Sequence, residues 1–246
     1  MIVPRGTSPQ AMKEFLNIIN GYCAQIGLSL SEKQQRQLVR YAEFLVEYNQ
    51  KVNLTAITEP CEMAIKHFVD SISLTTAVKP AGKLLDLGTG AGFPGMVMKV
   101  LFPELKVTLM DSVGKKIEFL RQLAVELDAE VSLLCGRAED FAKRPELREQ
   151  FDVVTARAVA ALPTLCEYCL PFVRVEGVFA SMKGAAYAEE LQQAAHAIEV
   201  LGAKTVSQHP LELPDGSKRG IIVIKKISHT STQYPRNSGQ ISKKPL

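Results

Sequence analysis

The sequence predicts an α/β fold: a Rossmann-like, mostly parallel seven-stranded sheet that ends in an antiparallel strand and is preceded by a helical extension. Three observations predict it. From residue 80 onward, short apolar runs alternate with segments of helical period, the pattern of a parallel sheet with helices on both faces. The first run leads directly into "LLDLGTGAGFPG", a glycine-dense turn between strand and helix. The last two runs flank "DGSK" and read as a β-hairpin, which reverses the final strand.

The helical extension occupies residues 1–79. Ser8 and Pro9 open its first helix, and Met12, Phe15, Leu16, Ile19, Tyr22, Cys23 and Ile26 recur with a helical period until Gly27 ends it. Ser31 with Gln34 matches a capping box, and Leu38, Tyr41, Leu45 and Tyr48 form the buried stripe of a second helix. "NLTAI" is a non-helical link, and "EPCEMAIKHFVDSISLTTAV" reads as one third helix. The core, residues 80–228, opens with the strand "GKLLDLG". The helix after the glycine loop stops at Pro103, "KVTLMD" is the next strand, and "SVGKKIEFLRQLAVELD" is a helix with Ser112 as its cap. "VSLLCG", "FDVVTARA" and "GVFASMKG" follow as strands separated by helical segments, and "AKTVSQHPLELP" with "RGIIVIKKI" completes the sheet. Residues 229–246 are polar and basic and read as a tail laid over or near the core.

Composition bounds the function. With 46% hydrophobic residues in 246, the chain supports one full-sized domain plus an extension. The net charge of +3 hides an asymmetry. After Asp215 there is no acidic residue, while Lys218, Arg219, Lys225, Lys226, Arg236, Lys243 and Lys244 are basic. That segment suits an anionic partner, or equally a solubilising tail. "MIVPRGTSPQ" lacks a basic stretch followed by an apolar one, and the most apolar long window, 156–175, carries Arg157, Glu167 and Arg174. No membrane span and a cytoplasmic location are expected. Five scattered cysteines make no disulfide framework. Cys166 and Cys169 lie in a helical "TLCEYCL" with no second pair or nearby histidine, so no metal site is expected.

Three ligands compete for the glycine loop. Gly90 to Gly95 has the spacing of a phosphate-binding P-loop, but Met96 and Val97 stand where Lys and Ser or Thr are required. A dinucleotide is a serious rival, because Gly90, Gly92 and Gly95 give G-x-G-x-x-G with Asp111 about 20 residues on. Two features weigh against it. Asp86, at the strand end, is a poor neighbour for a pyrophosphate and a good one for an ammonium group, and the terminal hairpin is foreign to the usual dinucleotide sheet. "DLGTGAG" instead resembles the loop of class I S-adenosylmethionine-dependent methyltransferases. In that reading the glycines admit the methionine part of the cofactor, Asp86 orients its amino group, and Asp111 accepts both ribose hydroxyls. The bland alternative for both carboxylates is capping of the helices that follow them. Ala138 and Glu139, in "CGRAEDF", lie where the loop after the third strand passes the adenine, with Phe93 or another apolar side chain packing on the base.

The end of the fourth strand narrows the methyl acceptor. "TARAVA" holds no Asn/Asp-Pro-Pro-aromatic motif for an exocyclic amine, and Cys166 and Cys169 lie too far on to activate a pyrimidine ring. An acceptor that is already nucleophilic remains, and guanine N7 fits, with a lone pair and no proton. Direct in-line displacement then needs alignment and no general base. The nearest acid/base pair, His67 and Asp70 in "KHFVDS", reads equally well as a structural contact; no catalytic residue is assigned.

"NLTAI", "KHFVDS", "LLDLGTGAGFPG", "TLMDSVGKKIEFL", "GRAED", "TARAVA", "SMKG" and the ending "YPRNSGQISKKPL" together resemble the RsmG (GidB) family of bacterial 16S ribosomal RNA methyltransferases. The resemblance runs from about residue 10 to the terminus. It implies S-adenosylmethionine as cofactor, N7 of guanine 527 in 16S rRNA as acceptor, and the rRNA or small ribosomal subunit as partner; a monomer is expected, although the sequence itself does not give the oligomeric state. It carries over cofactor contacts to Gly88, Phe93, Ala138, Glu139 and Arg157, beside Asp86, Asp111 and Gly90. It points to Arg137, Lys183 and Arg219 as basic residues at the pocket mouth that meet RNA phosphate or the substrate base, with His67 and Asp70 beside them. Two other classes are kept: a nicotinamide-dependent oxidoreductase using the three loop glycines, and a non-catalytic RNA-binding or assembly protein.

Overall fold

The computed structural model describes residues 8–246; the reading of the first residues as free of a targeting segment falls mainly on residues 1–7, outside the described residues. Seven strands form one sheet: β1 (Lys83–Leu87), β2 (Lys106–Asp111), β3 (Ser132–Cys135), β4 (Phe151–Arg157), β5 (Val173–Lys183), β6 (Ala203–Glu212) and β7 (Lys218–Lys226). Their order is β3-β2-β1-β4-β5-β7-β6. The pairs β1–β2, β1–β4, β2–β3 and β4–β5 are parallel, and β7 runs antiparallel to both of its neighbours. The expected α/β class and reversed last strand are both present. The central strands are buried on both faces, as parallel strands covered by helices must be: Leu84, Leu85, Val154 and Ala156 are inaccessible.

The sheet separates two apolar cores. One holds the helices α1 (Pro9–Gln25) and α2 (Glu32–Asn49) together with the helices Gly95–Leu101 and Gly114–Glu126. Phe15, Ile19, Leu38, Tyr41, Leu45 and Phe68 share that core with Met96, Val97, Phe119 and Leu120. The caps are those the sequence announces: Ser8 accepts from the Ala11 amide at 3.2 Å, Ser31 and Gln34 make a reciprocal capping box, and Gly27 adopts a positive φ of 72° after α1. The other core joins Leu162, Leu165, Cys166, Cys169 and Phe172 to Ile198, Leu201 and Ile224. Cys166 and Cys169 are inaccessible there, and burial pushes both thiols up.

Two local expectations are corrected. The stretch after Pro60 is not one helix. It runs as a helical turn Pro60–Met63, a π-helical turn Ala64–Val69, then Asp70–Ile72 and Leu74–Ala77. Hydroxyls compete with the helical ladder: Ser71 Oγ donates to the His67 carbonyl at 2.5 Å, and Ser73 Oγ to the Asp70 carbonyl at 2.6 Å. Ser112 does not cap the helix Gly114–Glu126 either. Its N-cap is Val113, and the Asp111 carboxylate accepts the Val113 amide at 2.9 Å.

The basic C-terminal charge is largely spent inside the molecule. Arg219 pairs with Asp70, Lys225 with Glu176, Lys226 with Glu149 and Arg236 with Glu167. The Glu167 side chain is inaccessible and takes the Arg236 backbone amide as well as its guanidinium. Arg148 donates to the carbonyls of Thr230, Ser231 and Tyr234. The tail is therefore anchored to the core, and Ile241, on the helix Ser238–Lys243, is fully buried.

Candidate active site

Both candidate cavities open at the carboxyl ends of the parallel strands, where open α/β sheets place their ligands. The backbone prepares the first. Gly88 and Gly90 hold positive φ angles of 71° and 59°. A Cβ on Gly88 would stand 2.4 Å from the Val159 side chain, whereas one on Gly90 would project into open space. The loop is tied to its neighbour strand by Gly88 and Thr89 amides donating to the Met110 carbonyl at 2.8 and 3.0 Å. Tyr41 of α2 secures it from the other side, its hydroxyl donating to the Ala91 carbonyl.

The two strand-tip carboxylates take different positions. Asp111, nearly buried, lines a cavity of about 440 Å³ with Gly88, Val113, Lys116, Arg137, Ala138 and Glu139. Its Oδ2 accepts the Gly90 amide at 3.0 Å and lies 3.4 Å from Lys116 Nζ. Each oxygen keeps acceptor capacity beyond these bonds. Asp86 is fully buried beneath the loop and lines neither cavity. Its Oδ2 accepts from Thr89 Oγ1 at 2.6 Å and from the Gly95 amide at 2.8 Å, while Oδ1 has no partner. Burial pushes its carboxyl up to about 6, although those two hydrogen bonds and Arg157 act in the opposite sense. Asp86 thus takes the first amide of the helix that follows it, as the bland reading expects, whereas Asp111 bonds the amides of Val113 and Gly90, which lie ahead of its helix and in the glycine loop; each retains an acceptor beyond these bonds.

A larger cavity of about 880 Å³ adjoins the first, sharing Gly88, Lys116 and Ala158–Ala160 as its rim. Thr55, His67 and Asp70 come from the helical extension, Arg157 from the end of β4, Lys183 from the end of β5 and Arg219 from the start of β7. Asp70 is the hub. Its Oδ2 accepts Arg157 Nη1 at 2.7 Å and its Oδ1 accepts Arg219 Nε at 3.2 Å. His67 and Asp70 share the cavity but not a hydrogen bond: His67 Nε2 lies 2.8 Å from Thr55 Oγ1. Its ring stacks on Phe93 at 4.7 Å between centroids, and Tyr41 stacks at 5.0 Å on the same phenyl ring. Burial, with Arg157 adding to it, lowers the His67 pKa to about 4.

Several expectations shift position. Phe93 lies in the larger cavity, enclosed by Tyr41, His67 and Phe68, and is absent from the walls of the smaller one where Ala138 and Glu139 sit. Arg137, expected at the mouth with the other basic residues, lines the smaller cavity instead. Lys183 is not surface charge: its side chain is 8% exposed, donates to the Ala160 carbonyl at 2.6 Å and pairs with Glu190 at 2.8 Å. Wall residues that escaped the sequence reading include Thr55, Lys116, Glu190 and Ser242. Lys116 sits one helical turn after Asp111, in a motif already singled out. Thr55 lies in "NLTAI". Glu190 and Ser242 carry no local signal, since each reaches its cavity only through tertiary packing. Ser242, on the helix Ser238–Lys243, lines the smaller cavity together with Tyr168, so the anchored tail forms part of one side of it.

The family model described as rRNA small subunit methyltransferase G (GidB) matches residues 34–218. The chain is 46% identical over 233 residues to the ribosomal RNA small subunit methyltransferase G of Alkaliphilus metalliredigens, covering 93% of this chain and 98% of that protein. It is 46% identical over 237 residues to the protein of the same name from Lactococcus lactis subsp. lactis, covering 95% and 98%. In fold it resembles a putative O-methyltransferase from Klebsiella pneumoniae, with a TM-score of 0.55 at 13% identity over 85% of this chain and 96% of that one. It also resembles M. jannaschii TYW2, solved in complex with AdoMet, with a TM-score of 0.52 at 12% identity over 64% and 75%.

Proposed function

The chain belongs to the rRNA small subunit methyltransferase G family, and from that premise we propose that it methylates N7 of guanine 527 in 16S rRNA, within the small ribosomal subunit or its precursor, as a cytoplasmic monomer. Family membership sets aside the nicotinamide-dependent alternative and the non-catalytic one. The cofactor is S-adenosylmethionine. The residues present suit it: Gly90 leaves open space where a Cβ would stand, Asp86 keeps an unpartnered buried oxygen below the loop, and Asp111 faces the smaller cavity.

The observation that carries the reading is the division of one cleft into two joined compartments, a smaller one beside Asp111 and a larger one ringed by cations. Asp111 is assigned to the ribose hydroxyls, and Ala138 with Glu139 to the base. Gly88 and Gly90 carry the chain past the methionine part, and Asp86 favours its ammonium through the unpartnered Oδ1. When bound, S-adenosylmethionine would supply a sulfonium methyl to an attacking lone pair, the carbon–sulfur bond breaking in line as the new bond forms and neutral S-adenosylhomocysteine leaving. Guanine N7 offers that lone pair and no proton, so the protein has to align the base rather than deprotonate it. His67 agrees with that role. A histidine whose pKa is lowered to about 4 is a weak base, and its ring is fixed by Phe93 and Thr55. Arg157 and Arg219, steered by Asp70, and Lys183 set a positive wall that favours the RNA backbone near the acceptor.

The test supplies labelled S-adenosylmethionine with unmodified small subunits and maps 7-methylguanine by chemical cleavage and primer extension. A single stop at guanine 527 is expected; label elsewhere, or none, overturns the reading.

A further inference from the structure

Two acidic side chains line the larger cavity, and the reaction so far uses only one. Asp70 is fully committed, with one oxygen on Arg157 and the other on Arg219. Glu190 is half committed. It lies on the helix Tyr187–Gln193, which follows β5. Its Oε2 accepts the Leu162 amide at 2.8 Å and the Lys183 ammonium at 2.8 Å. Its Oε1 has no partner among the described residues, and it is not among the buried unpartnered atoms. A backbone amide and a nearly buried ammonium therefore fix the carboxylate of this cavity-lining residue, while its other oxygen is left accessible and free to accept.

A fixed carboxylate oxygen can only accept, so it selects a ligand edge rich in N–H donors. A guanine that presents N7 to the methyl donor has its N1–H and N2–H2 groups on its opposite edge. Adenine carries a bare acceptor at N1 and would meet the carboxylate with repulsion. The glycine loop and Glu190 both line this cavity of about 880 Å³, which has room for a purine base between the tip of β1 and the helix that follows β5.

We propose that Glu190 Oε1 accepts N1–H and N2–H of the target guanine, making Glu190 a specificity-determining residue. The assignment rests on the guanine-N7 reading above. It also has a kinetic consequence. As N7 gains the methyl group, positive charge spreads over the purine and N1–H becomes more acidic. The bond to the carboxylate strengthens in the transition state, so it acts on kcat more than on KM.

The experiment reconstitutes small subunits with rRNA carrying either guanine or inosine at the target position. Inosine keeps N7 and N1–H and lacks the N2 amino group. The wild-type enzyme is expected to prefer guanine by about tenfold in kcat/KM. In Glu190→Gln that ratio falls toward one and kcat on guanine falls more than KM rises, while Glu190→Asp recovers part of the preference. Each ratio is taken within one protein preparation, so a general loss of folded enzyme cancels. A purely structural role, exerted through Lys183 and Leu162, would depress both substrates equally and leave the ratio at its wild-type value, which overturns the assignment. No preference in the wild type overturns it too. If the wild type places no methyl on guanine N7 at all, the failure lies with the function itself and not with Glu190.

Discussion

The two compartments of the cleft share a rim and differ in how they are built. The smaller is held by short-range contacts: Asp111 takes the amides of Val113, two residues away, and Gly90, 21 residues away. The larger is held by long-range ones, since Asp70 reaches Arg157 across 87 residues and Arg219 across 149. The smaller compartment is built around one local device, a glycine turn with carboxylates at adjacent strand tips, to which Tyr168 and Ser242 add a wall from farther along the chain. A pocket for one particular acceptor takes its walls from every region that borders it.

That contrast can be broken at its hub. Asp70→Ala leaves two guanidiniums that are 17% and 27% exposed facing each other without their anion. We expect a loss of about 3 kcal/mol in unfolding free energy, read by urea denaturation, the lower end of the cost of orphaning a buried charge. A cost below about 1 kcal/mol would mean that the larger compartment does not depend on this hub.

Next in size is a pH effect in the same wall. The His67 pKa is lowered from 6.5 to about 4, so between those values the unfolded chain binds the extra proton and stability rises with pH. The advantage of wild type over His67→Gln should grow from about pH 4 to about pH 6.5, by up to about 3 kcal/mol, and stay flat above. Asp86, raised to about 6, slopes in the opposite sense, which is why the difference between two proteins, rather than one curve, is the measurement.

The smaller compartment should fail selectively. Asp111→Ala is expected to weaken S-adenosylhomocysteine binding by about tenfold in calorimetry, about 1.4 kcal/mol, with RNA affinity unchanged. Equal losses on both ligands would erase the distinction between the compartments. The smallest effect concerns the exposed lysines of the C-terminal segment. Lys218, Lys243 and Lys244 lack an acidic partner among the described residues, and replacing all three with Ala should weaken RNA binding less than threefold and flatten its salt dependence.

The same contrast explains what the sequence reveals. The sheet, its reversed last strand and the placing of Asp111 follow from periodicity and from a motif whose parts contact one another. The charge of the C-terminal segment reads differently in the fold, because Asp70, Glu149, Glu167 and Glu176 pair four of its seven lysines and arginines from positions no local pattern links to them. The segment after Pro60 misleads for the opposite reason. Its helical period is real, yet hydroxyl-to-carbonyl bonds at Ser71 and Ser73 interrupt the ladder. Glu190 and Ser242 were illegible because a side chain that matters only in its tertiary place leaves no trace in spacing.

The wall opposite the glycine loop has one further consequence. Thr55, His67 and Asp70 all lie in a single stretch of fewer than twenty residues, outside the strands that cradle the nucleoside. A substitution within that one contiguous block therefore reshapes a face of the acceptor chamber without altering the strands that carry Asp86 and Asp111.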